Sequence, residues 1–134
     1  MKLEPYVFFY GRCEEALGFY KQVLGGAYEL TRVGDSPMRE HVPPQGHNMV
    51  MHATFSAPGL TFMASDGREV KTVNPNEGNV SLCIGTEDAA EAERVFGALS
   101  AGGKVVMPYS DAFWGGRFGV LQDKFGVEWF VQGP

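Results

Sequence analysis

His52, flanked by Met51 and Ala53 in an apolar run, is suited to act as a general base or ligand anchor near neutral pH. The competing reading is a buried histidine hydrogen-bonded to backbone, because no second His or Cys obviously joins it. His41 and His47 fall in a polar stretch and read as solvated. Pairing one of them with His52 would make a rebuilt metal site, a weaker alternative. Trp114-Gly115-x-Arg117 is the second candidate. Trp offers a stacking surface, Gly lets backbone approach a ligand, and Arg can fork onto a carboxylate, phosphate or phosphonate. Equally, Trp114 can be loop packing, with Arg117 paired to Asp111 or Asp123. Asp66 and Asp123 read as turn-formers rather than acids.

Several chemistries lack their signatures. There is no GxSxG, no Cys with an arguable His, and no Gly-Gly pair opens a helix after a strand, as a phosphate loop requires. Cys13 and Cys83 form no CxxC or Cys/His spacing and read as two reduced thiols, with Cys83 buried.

The elements that would position these residues follow from periodicity. Tyr6 to Tyr10 is a β-rich aromatic run ended by Gly11. Ala16, Phe19, Tyr20, Val23 and Leu24 then fall at helical spacing over Glu14 to Leu24, and Gly25-Gly26 stops the helix. Tyr28 to Val33 can be a strand. Residues 34–48 collect loop chemistry, at a length that is often functional or mobile. Met49 to Phe55 and Leu60 to Ser65 are strands joined by Ser56-Ala57-Pro58-Gly59. Val80 to Ile84 begins a second round, with Ala89, Ala92, Val95, Phe96 and Leu99 on a helix ended by Gly102-Gly103. Lys104 to Met107, Arg117 to Leu121 and Val127 to Val131 are further strands, with Pro108 to Trp114 a loop.

Both halves thus read strand, Gly, helix, Gly-Gly, three strands. An offset of 76 pairs Ala16 with Ala92, Phe19 with Val95, Tyr20 with Phe96, Val23 with Leu99, and Gly26 with Gly102. The fold class expected is α+β, a single domain over 1–134. Two β-α-β-β-β modules (module one 1–66, linker 67–78, module two 79–134) would form a curled mixed sheet around a small-molecule cup.

Composition narrows the partners. The chain has 134 residues, a net charge of −5 and 44% hydrophobic residues, which suits a single folded domain. No block of Lys or Arg could neutralise phosphates, so neither nucleic acid nor an anionic membrane surface is an expected partner. No apolar run approaches the ~20 residues of a membrane span. Met1-Lys2-Leu3-Glu4-Pro5 does not read as a signal peptide, and the cytoplasm is the expected compartment.

The segment Gly11 to Gly25, with Glu15-Ala16-Leu17, Phe19-Tyr20 and Val23-Leu24-Gly25, resembles the first helix of the vicinal-oxygen-chelate superfamily of glyoxalases, bleomycin-resistance proteins and extradiol dioxygenases. Pro5-Tyr6-Val7-Phe8-Phe9, Met51-His52-Ala53, Met63-Ala64-Ser65-Asp66, Phe113-Trp114-Gly115, Arg117-Phe118-Gly119 and Asp123-Lys124-Phe125-Gly126-Val127-Glu128-Trp129 resemble its PhnB-like branch. The resemblance implies the glyoxalase/bleomycin-resistance-like fold and a homodimer. Members that use a metal hold it with four side chains, and those positions carry over to Pro5, Met63, Ser81 and Phe130. None of these is a good ligand for a divalent ion. The expectation is no metal and no cofactor. Branch members have carried methyltransferase labels, for which no nucleotide-type glycine motif is present.

If Met63 faces the cup, strand alternation brings Thr61 and Ser65 with it and turns Leu60, Phe62 and Ala64 to the helix. If Phe130 faces the cup, Glu128 and Gln132 do too, leaving Val127, Trp129 and Val131 on the helix side. Asn79, Ser81, Cys83 and Phe9 would complete the lining. The expected ligand-binding set is Phe9, His52, Thr61, Met63, Ser65, Asn79, Ser81, Trp114, Arg117, Glu128 and Phe130, with His52 and Glu128 as catalytic candidates. The function expected is metal-free binding of a small molecule. The alternative is a lyase, isomerase or dioxygenase-type enzyme with a non-standard metal or an acid-base site using His52.

Overall fold

A computed structural model describes residues 1–134, which fall into two compact units, Met1–Thr72 and Val73–Pro134. The first contains β1 (Tyr6–Phe8), α1 (Cys13–Leu24), β2 (Ala27–Arg32), β3 (Val50–Ala57) and β4 (Leu60–Ser65). The second contains β5 (Leu82–Gly85), α2 (Ala89–Ser100), β6 (Lys104–Asp111), β7 (Arg117–Gln122) and β8 (Glu128–Gly133). Each is a β-α-β-β-β module, and the fold class is α+β. No helix is long and apolar enough to cross a membrane.

The two sheets share one topology. Their orders are β1-β4-β3-β2 and β5-β8-β7-β6, with the first pair parallel and the rest antiparallel. The parallel pair arises because the helix carries the chain across the sheet between strands. In the first unit, α1 buries Cys13, Ala16, Leu17, Tyr20 and Val23. They meet a sheet face carrying Ala53, Phe55, Phe62 and Ala64, all buried. Phe55 and Phe62 stack at 5.0 Å, and Tyr20 meets Phe62 edge-on at 5.8 Å. In the second unit, Ala92, Val95, Phe96 and Leu99 of α2 cover Leu121, Trp129 and Val131.

Two buried carboxylates hold the connections together. Asp66 accepts from the backbone N–H of Gly11 and Cys13 through Oδ1 (3.0 and 2.8 Å) and from Val50 through Oδ2 (2.8 Å), tying the start of α1 to β3. Asp123 accepts from Phe125 and Val127 through Oδ1 and from Trp129 Nε1 through Oδ2 (2.9, 3.0 and 2.9 Å). Both shape turns, but as buried anchors. In α2, Asp88 caps the helix by accepting from Glu91 N–H at 3.1 Å.

The glycine stops match at a different register from that read in the sequence. A Cβ on Gly26 would collide with the Ser56 carbonyl oxygen of β3, and one on Gly103 would collide with the Gln122 carbonyl oxygen of β7. These strands occupy the same place in each sheet, so Gly26 corresponds to Gly103 rather than Gly102. The fixed offset of 76 holds across the helices alone.

Other boundaries move too. Residues 34–48 are threaded by three short 3₁₀ turns, Val33–Asp35, Pro37–His41 and Pro44–Gly46. The strand expected at Lys104 to Met107 continues to Asp111 through Pro108. Proline is tolerated there because β6 is an edge strand with irregular register to β7. Cys83, expected to be buried, is exposed on the edge strand β5, whereas Cys13 is buried.

Candidate functional site

Each sheet has one face under its helix and one that no helix of its unit covers. In the first unit, the pairings Tyr6↔Met63 and Met63↔Thr54 put Tyr6, Met63 and Thr54 in one row of the uncovered face. Phe8 pairs with Ser65 in the next row, and His52 shares the face by alternation with Thr54. Tyr6 Oη and His52 Nδ1 lie 3.0 Å apart, one donating to the other according to the histidine tautomer. Desolvation by burial raises the Tyr6 phenol above its ordinary value, outweighing the lowering effect of the nearby Ser65 hydroxyl. The hydroxyl therefore stays protonated at neutral pH.

An aromatic ladder runs along β1 and into the turn that follows it. Tyr6 and Phe8 stack at 5.1 Å and 29°, and Phe8 and Tyr10 at 6.1 Å and 30°. Tyr6 is 41% and Phe8 46% exposed. Tyr10 adopts φ 49°, a left-handed backbone unusual for a residue with a side chain. Lys71 Nζ sits 4.3 Å from the centre of its ring.

In the second unit, Cys83 pairs with Phe130 and Phe130 with Val120 on the uncovered face. Phe118 and Gln132 form a neighbouring row, and Glu128 and Gln122 another. Ser81 Oγ donates to Glu128 Oε1 at 2.5 Å. Trp114 packs on Phe118 at 4.8 Å, and Phe118 lies 6.3 Å from Phe130.

The expected site residues divide accordingly. His52, Thr61 and Met63 share the uncovered face of the first unit, and Ser81, Glu128, Phe130 and Trp114 gather on that of the second. Phe9 does not join them. It is 3% exposed and packs 6.0 Å from Tyr20, because the alternation that shows Tyr6 and Phe8 turns Val7 and Phe9 inward. Ser65 has the right face, but its hydroxyl donates to the Val50 carbonyl and accepts from Gly67 N–H. Asn79 is exposed and precedes β5. Arg117 lies on the helix side, 3.5 Å from Asp111, 3.8 Å from Glu93 and over the Tyr109 ring. The Trp114–Arg117 motif is thus split between opposite faces. His47 Nε2 contacts the Arg39 and Val42 carbonyls, a structural role within the 3₁₀ segment.

Tyr6, Phe8 and Phe118 are absent from the set expected from sequence. Their signal is parity: Val7 and Phe9 carry no polar atom, whereas Tyr6 and Tyr10 do, so the hydroxyl-bearing set should face outward.

The four positions carried over for a metal need one correction. The register Tyr6↔Met63 is matched in the second unit by Cys83↔Phe130. Met63 and Phe130 therefore correspond, but their first-strand partners are Tyr6 and Cys83, not Pro5 and Ser81. Residues 9–12 join strand to helix in the first unit and 86–88 in the second, so one extra residue shifts the offset. The corrected set is a phenol, a thioether, a thiol whose titration burial moves upward, and a phenyl ring. In neither unit do three of His, Cys, Asp or Glu come together. Phe130 offers no donor atom, and neither the phenol and thioether of the first unit nor the lone thiol of the second makes a ligand set for a divalent ion by itself.

The family described as 3-demethylubiquinone-9 3-methyltransferase matches residues 1–132. The chain belongs to this PhnB-like family. It is 38% identical to PA1353 from Pseudomonas aeruginosa, with a TM-score of 0.82 and coverage of 99% of this chain and 97% of that one. A Bacillus cereus PhnB protein, also described by the methyltransferase name, is 28% identical over the full length of both chains, at a TM-score of 0.78. YjdN from Escherichia coli is 28% identical over 98% of this chain and 94% of its own. A glyoxalase/bleomycin resistance protein/dioxygenase domain from Frankia shares the fold, with a TM-score of 0.63 at 13% identity. The PhnB-like chain therefore has the glyoxalase/bleomycin-resistance-like fold.

Proposed function

We propose that this PhnB-like protein binds a small organic molecule without a metal, on the uncovered sheet face that carries Tyr6, His52 and Met63. The observation that supports this most directly is the Tyr6–His52 hydrogen bond beside exposed, stacked aromatic rings. Apolar surface of that kind left to water marks an interaction site, and a paired hydroxyl and imidazole within it give orientation. The family's methyltransferase name adds no support for methyl transfer. Gly25-Gly26 and Gly102-Gly103 follow helices and Gly115-Gly116 lies between β6 and β7, so no Gly-Gly pair leads from a strand into a helix as a phosphate loop requires. A homodimer in the cytoplasm belongs to the same proposal, on the strength of the family resemblance.

The same contact favours a second reading, acid-base catalysis. A phenol held protonated beside an imidazole is a donor–acceptor pair whose components differ in proton affinity. Thermal denaturation against a panel of small carboxylates, phosphonates and planar compounds tests the binding proposal. A ligand at 100 times its Kd should stabilise the protein by roughly 2.7 kcal/mol, and His52→Ala should abolish the shift. No shift with any compound sinks it. Chemical turnover of a bound compound, lost in both Tyr6→Phe and His52→Ala, would select the enzymatic reading. Stoichiometric metal that survives dialysis and disappears in His52→Ala would overturn the metal-free one.

A further inference from the structure

We infer that the Tyr6–Phe8–Tyr10 ladder is a subsite for an electron-rich planar anion, an aryl carboxylate or phenolate, whose charged oxygen is received by Lys71. This rests on the binding proposal above and names the class of ligand. Rings stacked on one another along a strand turn their edges outward. Aromatic edges are the positive part of the quadrupole, so they favour the electron-rich face of another ring. Phe8, the central ring, is 46% exposed, and β1 lies at the edge of its sheet. The ladder can therefore be approached from the side.

Three further observations point to the same place. Tyr10 holds its ring against Phe8 with a left-handed backbone, a strained conformation of the kind that collects at functional sites. Gly67 lies beneath: a Cβ there would sit 3.3 Å from the Tyr10 ring and 3.4 Å from the Phe8 ring, so the floor of the ladder leaves no slack. Lys71 Nζ stands at one end, 4.3 Å from the Tyr10 ring centre, with Glu69 at 3.3 Å as its partner. That ion pair is exposed on both sides and weak. An ammonium has three donors, so a ligand oxygen can join or displace Glu69. His52 lies at the opposite end, 5.7 Å from the Tyr6 ring, and separates this subsite from one built on the histidine alone.

Calorimetric titration of the full chain with 2-naphthoate, its methyl ester and cyclohexanecarboxylate tests the assignment. The naphthoate should bind about tenfold tighter than the ester, the scale of one charge-assisted hydrogen bond, and tighter than the non-aromatic acid. Lys71→Met should remove the preference for acid over ester. Phe8→Leu should weaken naphthoate while leaving the circular dichroism spectrum unchanged. Equal binding of acid and ester, an acid preference that survives Lys71→Met, indifference to Phe8→Leu, or no naphthoate binding overturns the inference. If naphthoate fails these tests while another compound of the denaturation panel binds and His52→Ala abolishes its binding, the ladder assignment fails alone. If nothing in the panel binds, the functional proposal fails with it.

Discussion

The two thiols show how strongly position governs chemistry at the residue scale. Burial, with Asp66 and Glu14 adding repulsion, pushes the Cys13 thiol up to about 12, while Cys83 stands exposed on an edge strand. A thiolate reagent at pH 8 should therefore modify one sulfur quickly, and peptide mapping should place it at Cys83. The Cys13 shift also has a signature in stability. Its folded value lies above its ordinary value of 9.0, so the folded state keeps the proton longer than the unfolded state does. The contribution is complete below pH 9.0 and is lost as pH rises toward about 12. Cys13→Ala should flatten that alkaline limb in denaturant titrations at a series of pH values. His52 and Met63 can be placed on a strand from sequence because their neighbours alternate. Phe9 is harder to place, since aromatics at 6, 8, 9 and 10 occupy both parities and only the hydroxyls of Tyr6 and Tyr10 mark the outward set.

Elements here are tied together by single side chains. Asp66 serves three backbone donors, in α1, in β3 and in the turn before α1, and Asp123 serves two backbone donors and an indole. Removing either leaves several buried N–H groups unsatisfied, so Asp66→Ala and Asp123→Ala should each lose about 3 kcal/mol in urea unfolding. Asp88→Ala, which removes a solvated helix cap, should lose only about 1 kcal/mol. Helix interiors offer the opposite opportunity. Gly18 and Gly97 sit mid-helix without a left-handed backbone, and a methyl group added at either would meet nothing within 4 Å. Gly18→Ala and Gly97→Ala should each raise stability by about 0.5–1 kcal/mol. The helices are legible because 3.6-residue periodicity survives low identity between the halves. Pro108 hides the length of β6, because proline reads as a break unless the strand is known to lie at an edge.

At the scale of the whole molecule, duplication is legible in outline and misleading in detail. One constant offset cannot describe two modules whose first connections differ by a residue, and a one-residue slip reverses the face of every strand position. The resemblance puts the first-strand positions at Pro5 and Ser81, 76 apart, whereas the strand registers put Tyr6 and Cys83 there, 77 apart. Net charge is informative in a different way. At −5, without a basic cluster, the protein should pass through a duplex DNA column at low salt without retention. The glycines that follow the two helices carry the duplication more faithfully than any side chain. At positions 26 and 103 a neighbouring strand's carbonyl oxygen occupies the space where any other amino acid would begin. Randomising every codon and selecting for folded protein should leave those two columns blank but for one letter. Spaced 77 apart where the helices are spaced 76, they would mark by tolerance data alone the point at which the two modules fall out of step.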